Sequence, residues 1–397
     1  MNRMELVTAK FENGILQIAP HGRIDTNNAE AASKAFSAFC AQYETDQVIL
    51  DVEDLEYISS AGLRAVLKLR KEKPELKIIN AGAEVFEIFD MTGFTEMIPV
   101  EKAFRKFSVD GCSILGKGAK GTVYRYNGDT IIKVYNDRNS LPAIRREREL
   151  ARKAFVLGIP TSISYDVVKV GDKFGSVFEM LDANSYSQMI AAEPENVEKY
   201  ANGFADLLRQ IHETPVKAED MPPIREDTAD RWVKTCEPYL SAEDNAKLQK
   251  MLASVPERLF MTHGDYHTNN VMYLPTETML IDMDTLSHGH PIFELANVFC
   301  AYIGFQMISK ENVEKFMGFS AEMATKVWEL FLKRYFEEKD EAFVKAAEDK
   351  IALLGYTRVL HYTLRHVDGD DVKKRVAEEA SAKISELLKK VDTLEFE

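Results

Sequence analysis

From Glu5 the chain alternates apolar and polar residues (ELVTAKF), turns at Asn13-Gly14 and resumes the alternation in ILQIA. Asn-Gly between two period-two segments predicts a β-hairpin. An Ala-rich helical stretch starts at about Asn28, and a nearly continuous apolar strand, QVILDV, follows. Next come a loop ending in Ser59-Ser60, a helix with apolar positions at Leu63, Val66 and Leu67, and a strand at Lys77 to Ile79. A helix near Glu84 to Met91 is then stopped by Gly93. Strand–helix alternation with short connections predicts an α/β layer over a sheet, spanning about 105 residues.

A second unit begins near Ser108 with three strand-like segments, SILGKG, GTVYRYNG and DTIIKVYND, the last two joined by Asn127-Gly128. A helix is predicted from about Leu141, then strands near Ile163 to Val170 and Gly175 to Met180. Beyond Asn184 the pattern is helical except for short strand-like segments at Asn270 to Tyr273 and Met279 to Ile281. The longest uncharged apolar stretch, Leu295 to Ser309, is too short for a bilayer span and predicts a buried core helix. There is no internal repeat and no low-complexity linker. The expected division is a domain over 1–107 and a larger one over 108–397, strand-rich to about 181 and helical from about 182.

Composition narrows the function classes. The 397 residues carry a formal charge of −14, with 45% hydrophobic and 29% charged residues. These are globular proportions, and an acid excess argues against a phosphate-backbone binder, so no nucleic-acid partner is expected. Four net negative charges fall before Ser108 and ten after it. The surplus would suit a cationic acceptor, but net charge is too coarse to choose one. Cys40, Cys112, Cys236 and Cys300 lie far apart with no CxxC pair, which fits a reducing compartment. The N-terminus lacks a signal-peptide apolar region, and a cytoplasmic protein without a membrane span is expected.

Candidate chemistry sits mainly in the second unit. Gly116, Gly118, Gly121 and Val123 fit GxGxxGxV, in which glycines let a backbone approach a polyphosphate closely. A dinucleotide-binding loop would lead into a helix, whereas here a strand follows. That order is kinase-like, and Lys133 in IIKVY stands where a lysine would neutralise the α- and β-phosphates. Glu147 and Glu149 on the next helix are candidates to hold that lysine. Two positions apart, they face different directions, and Glu147 is the preferred partner. In HGDYHTNN, Asp265 could accept a hydroxyl proton, while Asn270 and Asp282 of the following IDMD could offer oxygen to magnesium. The alternation of His263, Asp265 and His267 would also suit a metal hydrolase if the segment were extended.

Residues 108–397 resemble the aminoglycoside phosphotransferase-like branch of the protein-kinase-like fold, through HGDxHxxN followed by a strand ending IDxD. The resemblance implies an α+β two-lobed fold that binds ATP and Mg. It implies Asp265 as catalytic base, Asn270 and Asp282 as metal ligands, Lys133 on the phosphates and His263 as a brace of the catalytic loop. Phe178-Glu179-Met180-Leu181 resembles the hinge between lobes, whose backbone at Glu179 and Leu181 would bind adenine. The stretch from Gly289 to Ala296 is similar to the family's GDPxxDLA, with His290 and Glu294 where the pattern usually has Asp.

Gly22-Arg23-Ile24-Asp25, then Tyr57 to Arg64, then Met91 to Phe94 resemble the STAS domain of anti-sigma factor antagonists, an α/β domain in which a sheet carries helices. The resemblance implies Ser60 as the phosphorylatable serine, at a helix N-terminus whose free N–H groups suit a phosphate. Ser59 or Ser60 as a plain helix cap is the alternative. The expected function is an ATP- and Mg-dependent phosphotransferase acting on a hydroxylated small molecule or protein, with a STAS module for regulation or partner binding. The alternative is a nucleotide-responsive signalling protein with STAS output and little turnover, phosphorylated at Ser60 in one version.

Overall fold

The computed structural model describes residues 5–118, 120–274 and 277–396. Two compact units emerge. One runs to Ser108 and takes in Val168–Gly171; the other holds Val109–Val167 and the chain from Asp172 onward.

In the first unit, strands β1 (Val7–Glu12) and β2 (Ile15–Pro20) form the expected hairpin, with Asn13 and Gly14 both at positive φ (52° and 81°). That pair of left-handed residues gives the turn a twist matching the strands. After β3 (Gly22–Ile24) and helix α1 (Ala29–Gln42) come β4 (Val48–Asp51), β5 (Leu55–Ile58), helix α2 (Ser60–Glu72), β6 (Lys77–Ala81), helix α3 (Ala83–Met91) and β7 (Val100–Lys102). The main sheet has the order β1-β2-β4-β6-β7, parallel from β2 onward, while β3 and β5 pair separately. Leu16, Ile18, Leu50 and Ile78 bury fully against Ala32 and Phe36 of α1, Val66 and Leu69 of α2, and Phe89 of α3. Short strands β3, β5 and β7 carry too few residues for a period to register, and the sequence pattern predicts none of them.

The second unit opens with an antiparallel sheet in the spatial order Lys173–Glu179, Thr130–Tyr135, Gly121–Arg125, Ser113–Lys117. Its register aligns Gly116 with Val123, Val123 with Lys133, and Lys133 with Ser176. Residues directly opposite in antiparallel strands share a face, so these four form one row across the sheet. The helix Leu141–Val156 buries Ile144, Glu147, Leu150, Ala151 and Ala154. The remainder is helical around a large core that includes Trp328, Tyr200, Tyr266 and Phe204. Val271–Tyr273 and Thr278–Leu280 pair as a small hairpin, and a further pair, Met261–Thr262 with Ser287–His288, flanks the HGD segment. The apolar stretch at Leu295 gives a buried helix over Pro291–Tyr302, but it stops there. A 3₁₀ turn, Gly304–Met307, replaces the expected continuation to Ser309. At Gly304 a Cβ would lie 2.4 Å from Val359 Cγ2, so the chain turns where two helices approach closely. Among the described residues no helix is long and apolar enough to cross a membrane.

Candidate active site

The glycine loop joins the strands Ser113–Lys117 and Gly121–Arg125. Gly118 N–H donates to Gly121 O at 2.9 Å and closes the turn. At Gly121 a Cβ would sit 2.4 Å from Val134 O, so no other residue fits there without moving the neighbouring strand. Ala119 of this motif lies outside the described residues. Val123 faces the same side as Lys133, directly across the ladder.

Lys133 is the centre of a buried charge cluster. Its Nζ lies 3.0 Å from Glu147 Oε1 and 2.7 Å from Asp282 Oδ1. Tyr135 OH donates to the other oxygen of Glu147 at 2.7 Å. Burial opposes the charge on Lys133, but Glu147 and Asp282 outweigh it and hold the ammonium well above the ordinary lysine range. Asp282 is affected in the opposite direction: burial works against its carboxylate, and Lys133 more than compensates, keeping it below the usual range. Glu147, the more buried carboxylate, is raised by desolvation despite Lys133. Glu149 points elsewhere, to Lys153 one helical turn on.

Asp282 has φ 62° and ψ 64°, a left-handed conformation that a non-glycine residue rarely adopts. Backbone held in such a region marks a position where geometry is imposed by the surroundings, a frequent feature of functional sites. Asp284 of the same motif pairs with Lys120 of the glycine loop. Glu147, Asp282 and Asp284 each place a carboxylate oxygen within 4.8 Å of the other two.

Asp265 and Asn270 belong to a loop whose shape is fixed by buried partners. Glu294, fully buried, accepts from the N–H groups of His263 at 2.8 Å and Gly264 at 2.5 Å, and its Oε2 also lies 2.9 Å from His212 Nε2. Thr285 Oγ1 donates to His263 O at 2.7 Å, and Asn297 Nδ2 donates to Gly264 O at 3.1 Å. Gly264 is at φ 85°, and a Cβ there would meet Thr285 O at 2.5 Å. His263 is buried; its Nδ1 accepts from the Asp265 amide at 3.4 Å. Asn270 Nδ2 donates to Asp265 O at 3.0 Å, which leaves the amide oxygen as its free end. Burial alone would raise the Asp265 carboxyl, but His267, 3.7 Å away, and the charges of His263 and Arg358 bring it down to about 2. The segment is therefore a braced loop and not an extended strand. Among the described residues the metal-competent group is the carboxylate trio, and His263 and His267 are not part of it.

His290, buried, caps the helix Pro291–Tyr302, its Nδ1 accepting from Ile292 N–H at 3.2 Å. Burial pushes its pKa to about 3, so the ring is neutral and able to accept. Glu294 and His290 thus do the jobs of loop brace and helix cap with residues other than Asp. At the hinge, Met180 N–H donates to Asp129 O at 2.9 Å. Alternation along the strand then directs the backbone groups of Glu179 away from the Thr130–Tyr135 strand. The sequence reading passed over Asp284 and Lys120, although both stood inside quoted motifs; a signal for pairing them was absent because it depends on the loop's approach to Asp284.

In the first unit, Ser59 is the cap of α2: its Oγ accepts from Gly62 N–H at 3.4 Å. Ser60 is the first helical residue and exposed, and its hydroxyl makes no hydrogen bond among the described residues. A Cβ at Gly62 would fall 2.7 Å from Ile24 Cγ2 and from Ile58 Cγ1, so this glycine serves helix–sheet packing.

Comparison with known proteins agrees with this architecture. Residues 111–315 match the profile of the phosphotransferase enzyme family, and residues 7–106 match the STAS domain. The chain belongs to the phosphotransferase enzyme family and carries an N-terminal STAS domain. The anti-sigma factor antagonist BtrV of Bordetella bronchiseptica is 36% identical over 101 residues, covering 24% of this chain and 85% of that protein. Among solved structures, ADP-bound aminoglycoside phosphotransferase APH(2'')-Ib is 15% identical with a TM-score of 0.47, covering 76% of this chain and 98% of its own. An anti-sigma factor antagonist from Mycobacterium paratuberculosis is 19% identical with a TM-score of 0.23, covering 24% of this chain and 85% of its own.

Proposed function

We propose that the chain is an ATP- and magnesium-dependent phosphotransferase of the cytosol that moves the γ-phosphate to a hydroxyl acceptor, with a catalytic domain from about residue 108 and a regulatory or partner-binding STAS domain before it. The observation that carries this reading is Lys133, fixed 3.0 Å from Glu147 and 2.7 Å from Asp282. A lysine so oriented, in register with Val123 under the glycine loop, is placed to meet the α- and β-phosphates. The backbone at Glu179 and Leu181 reads the adenine, and Gly116, Gly118 and Gly121 let the loop lie close over the phosphates.

The donor set suits a hard divalent cation: carboxylates at Asp282 and Asp284 and the uncommitted oxygen of Asn270. When bound, magnesium supplies positive charge that offsets the negative charge of the phosphates. Asp265 stays ionised at neutral pH and accepts or orients the acceptor's hydroxyl proton, while His263 and Glu294 keep its loop in place. The acceptor oxygen forms a bond to the γ-phosphorus, the bond to the β,γ-bridging oxygen breaks, ADP leaves and the proton passes to Asp265. Nucleotide turnover tests this. Asp265→Asn is expected to lower it by about 10²–10⁴-fold, and Asp282→Ala by a comparable factor; unchanged turnover in both overturns the assignment.

A second reading is favoured by Ser60, exposed at the start of α2 while Ser59 does the capping. A phosphate there would meet free helix N–H groups, and the STAS surface would be the output of a domain that binds nucleotide with little transfer. Tight ATP binding without phosphorylation of any hydroxyl would support it.

A further inference from the structure

The glycine loop carries two lysines, Lys117 and Lys120, and they face different ways. Lys117 stands in the cross-strand row of Thr122 and Val134, one position off the row of Gly116, Val123 and Lys133, so it lies on the opposite face of the sheet. Lys120 turns to the charge cluster that Lys133 enters. Its ammonium pairs with Asp284 Oδ2, while Lys133 holds Glu147 and Asp282. Because Glu147, Asp282 and Asp284 bring their oxygens within 4.8 Å of one another, the two ammonium groups reach one donor set through different members. The backbone at Lys120 is pinned: Asn136 N–H donates to Lys120 O at 2.9 Å, and Gly121 follows in close approach to Val134 O. The side chain is less confined, 55% exposed against 15% for Lys133. What burial there is opposes its charge, and Asp284 outweighs it, holding the ammonium above the ordinary lysine range.

The two lysines therefore differ in freedom. Lys133 is buried between two carboxylates and keeps its place. Lys120 is held by Asp284, and Asp284 belongs to the set that suits a divalent cation. With a cation on that carboxylate, the ammonium loses the negative charge that held it and gains a positive neighbour. A phosphate oxygen on the same cation is the nearest replacement, and a lysine ammonium on its flexible stem can swing to it while the loop backbone stays fixed. We propose that Lys120 binds the terminal phosphate of the nucleotide, exchanging Asp284 for a γ-phosphate oxygen as that carboxylate turns to the cation. Lys133 then meets the inner phosphates and Lys120 the outer one, so the loop distinguishes ATP from ADP by charge. This rests on the phosphotransfer reading above and goes beyond it in naming the side chain that recognises the phosphate to be moved.

The test compares ADP with the non-hydrolysable β,γ-imido analogue of ATP, bound to the full chain at saturating magnesium and followed by calorimetry. Lys120→Gln is expected to weaken the analogue by about tenfold or more, the scale of a hydrogen bond to a charged group, and ADP by less than about threefold. Lys120→Arg should recover most of the loss, and Lys117→Gln, on the other face, should change neither affinity by more than about twofold. In Lys120→Gln the magnesium needed for half-saturation with ADP should also fall, because Asp284 no longer shares its charge with an ammonium. Equal weakening of both nucleotides, or of neither, overturns the contact with the terminal phosphate and leaves phosphotransfer standing. A magnesium requirement that stays the same or rises overturns the exchange at Asp284. Selective loss of the analogue, in a chain that binds both nucleotides and labels no hydroxyl, keeps Lys120 on the terminal phosphate and removes the phosphotransferase. A wild type that binds neither nucleotide overturns both.

Discussion

The turn at Ser59 to Gly62 and the loop from His263 to Asn270 each hold a side chain proposed above for function, Ser60 and Asp265, at a backbone bend, and they are secured by different means. At the first, Ser59 N–H reaches Ile24 O at 2.8 Å, Ser59 Oγ accepts from Gly62, and Gly62 nests on Ile24 and Ile58. A neutral hydroxyl and close packing suffice. At the second, a fully buried carboxylate, Glu294, gathers two backbone N–H groups and His212, and Thr285, Asn297 and Tyr302 hold the rest. The partner-binding surface proposed above would need its serine exposed and little else fixed. A loop that must keep Asp265 and Asn270 in place needs partners from several helices.

The largest expected effect separates the two directly. Glu294→Ala leaves two backbone N–H groups and a histidine without their buried acceptor, at a cost of about 3–5 kcal/mol. Denaturant unfolding of the full chain, followed by a probe in the second unit, should show that loss, and Glu294→Asp should recover part of it. If Glu294→Ala costs no more than an ordinary helix cap, about 1 kcal/mol, the carboxylate is not what secures the loop.

The same contrast explains what the sequence could show. Hairpins written in adjacent residues were legible: Asn13-Gly14 predicts its turn because two left-handed residues in succession admit few others. Asn127-Gly128 predicts a hairpin too, but there neither residue takes positive φ. The turn is instead shaped by Asp129 N–H donating to Asn127 Oδ1 at 3.0 Å. Lys133, Asp265, Asn270 and Asp282 stand in motifs whose order reflects chemistry, and the fold brings Lys133 to Asp282 across 149 residues. Glu294 and His290 looked like departures from a pattern. Their work became visible only in three dimensions, since a longer acid can reach the same amides and a neutral imidazole can cap a helix.

A smaller effect sharpens the role of that second loop's neighbour. The folded protein holds His290 at about 3, below its ordinary 6.5, because burial disfavours the charged ring. The unfolded chain therefore binds a proton that the folded chain refuses. Stability attached to His290 is complete above about pH 6.5 and declines as pH falls toward 3, by up to about 1.4 kcal/mol per pH unit. His290→Asn keeps a capping acceptor and removes the titration. The difference in unfolding free energy between wild type and variant should shrink or reverse in the variant's favour between pH 7 and pH 5; a constant difference would mean that His290 does not resist protonation in the fold.

The smallest effects concern the first turn and divide the two serines. Removing the Ser59 hydroxyl frees the Gly62 amide and should cost about 0.5–1 kcal/mol, the low part of the range for caps because the 3.4 Å contact is long. Ser60→Ala should change stability by less than about 0.5 kcal/mol, since Ser60 is exposed and its hydroxyl holds nothing in place. Hydrogen exchange at the Gly62 amide reads the difference locally: faster in Ser59→Ala, unchanged in Ser60→Ala. Ser60→Asp places a negative charge at the positive end of α2 and should slow opening of that first turn, with an effect of about 0.3–1 kcal/mol that weakens in salt. If Ser60→Ala instead speeds exchange at Gly62 as much as Ser59→Ala does, capping and display are not divided between the two residues, and the turn is no simpler in its construction than the loop at Asp265.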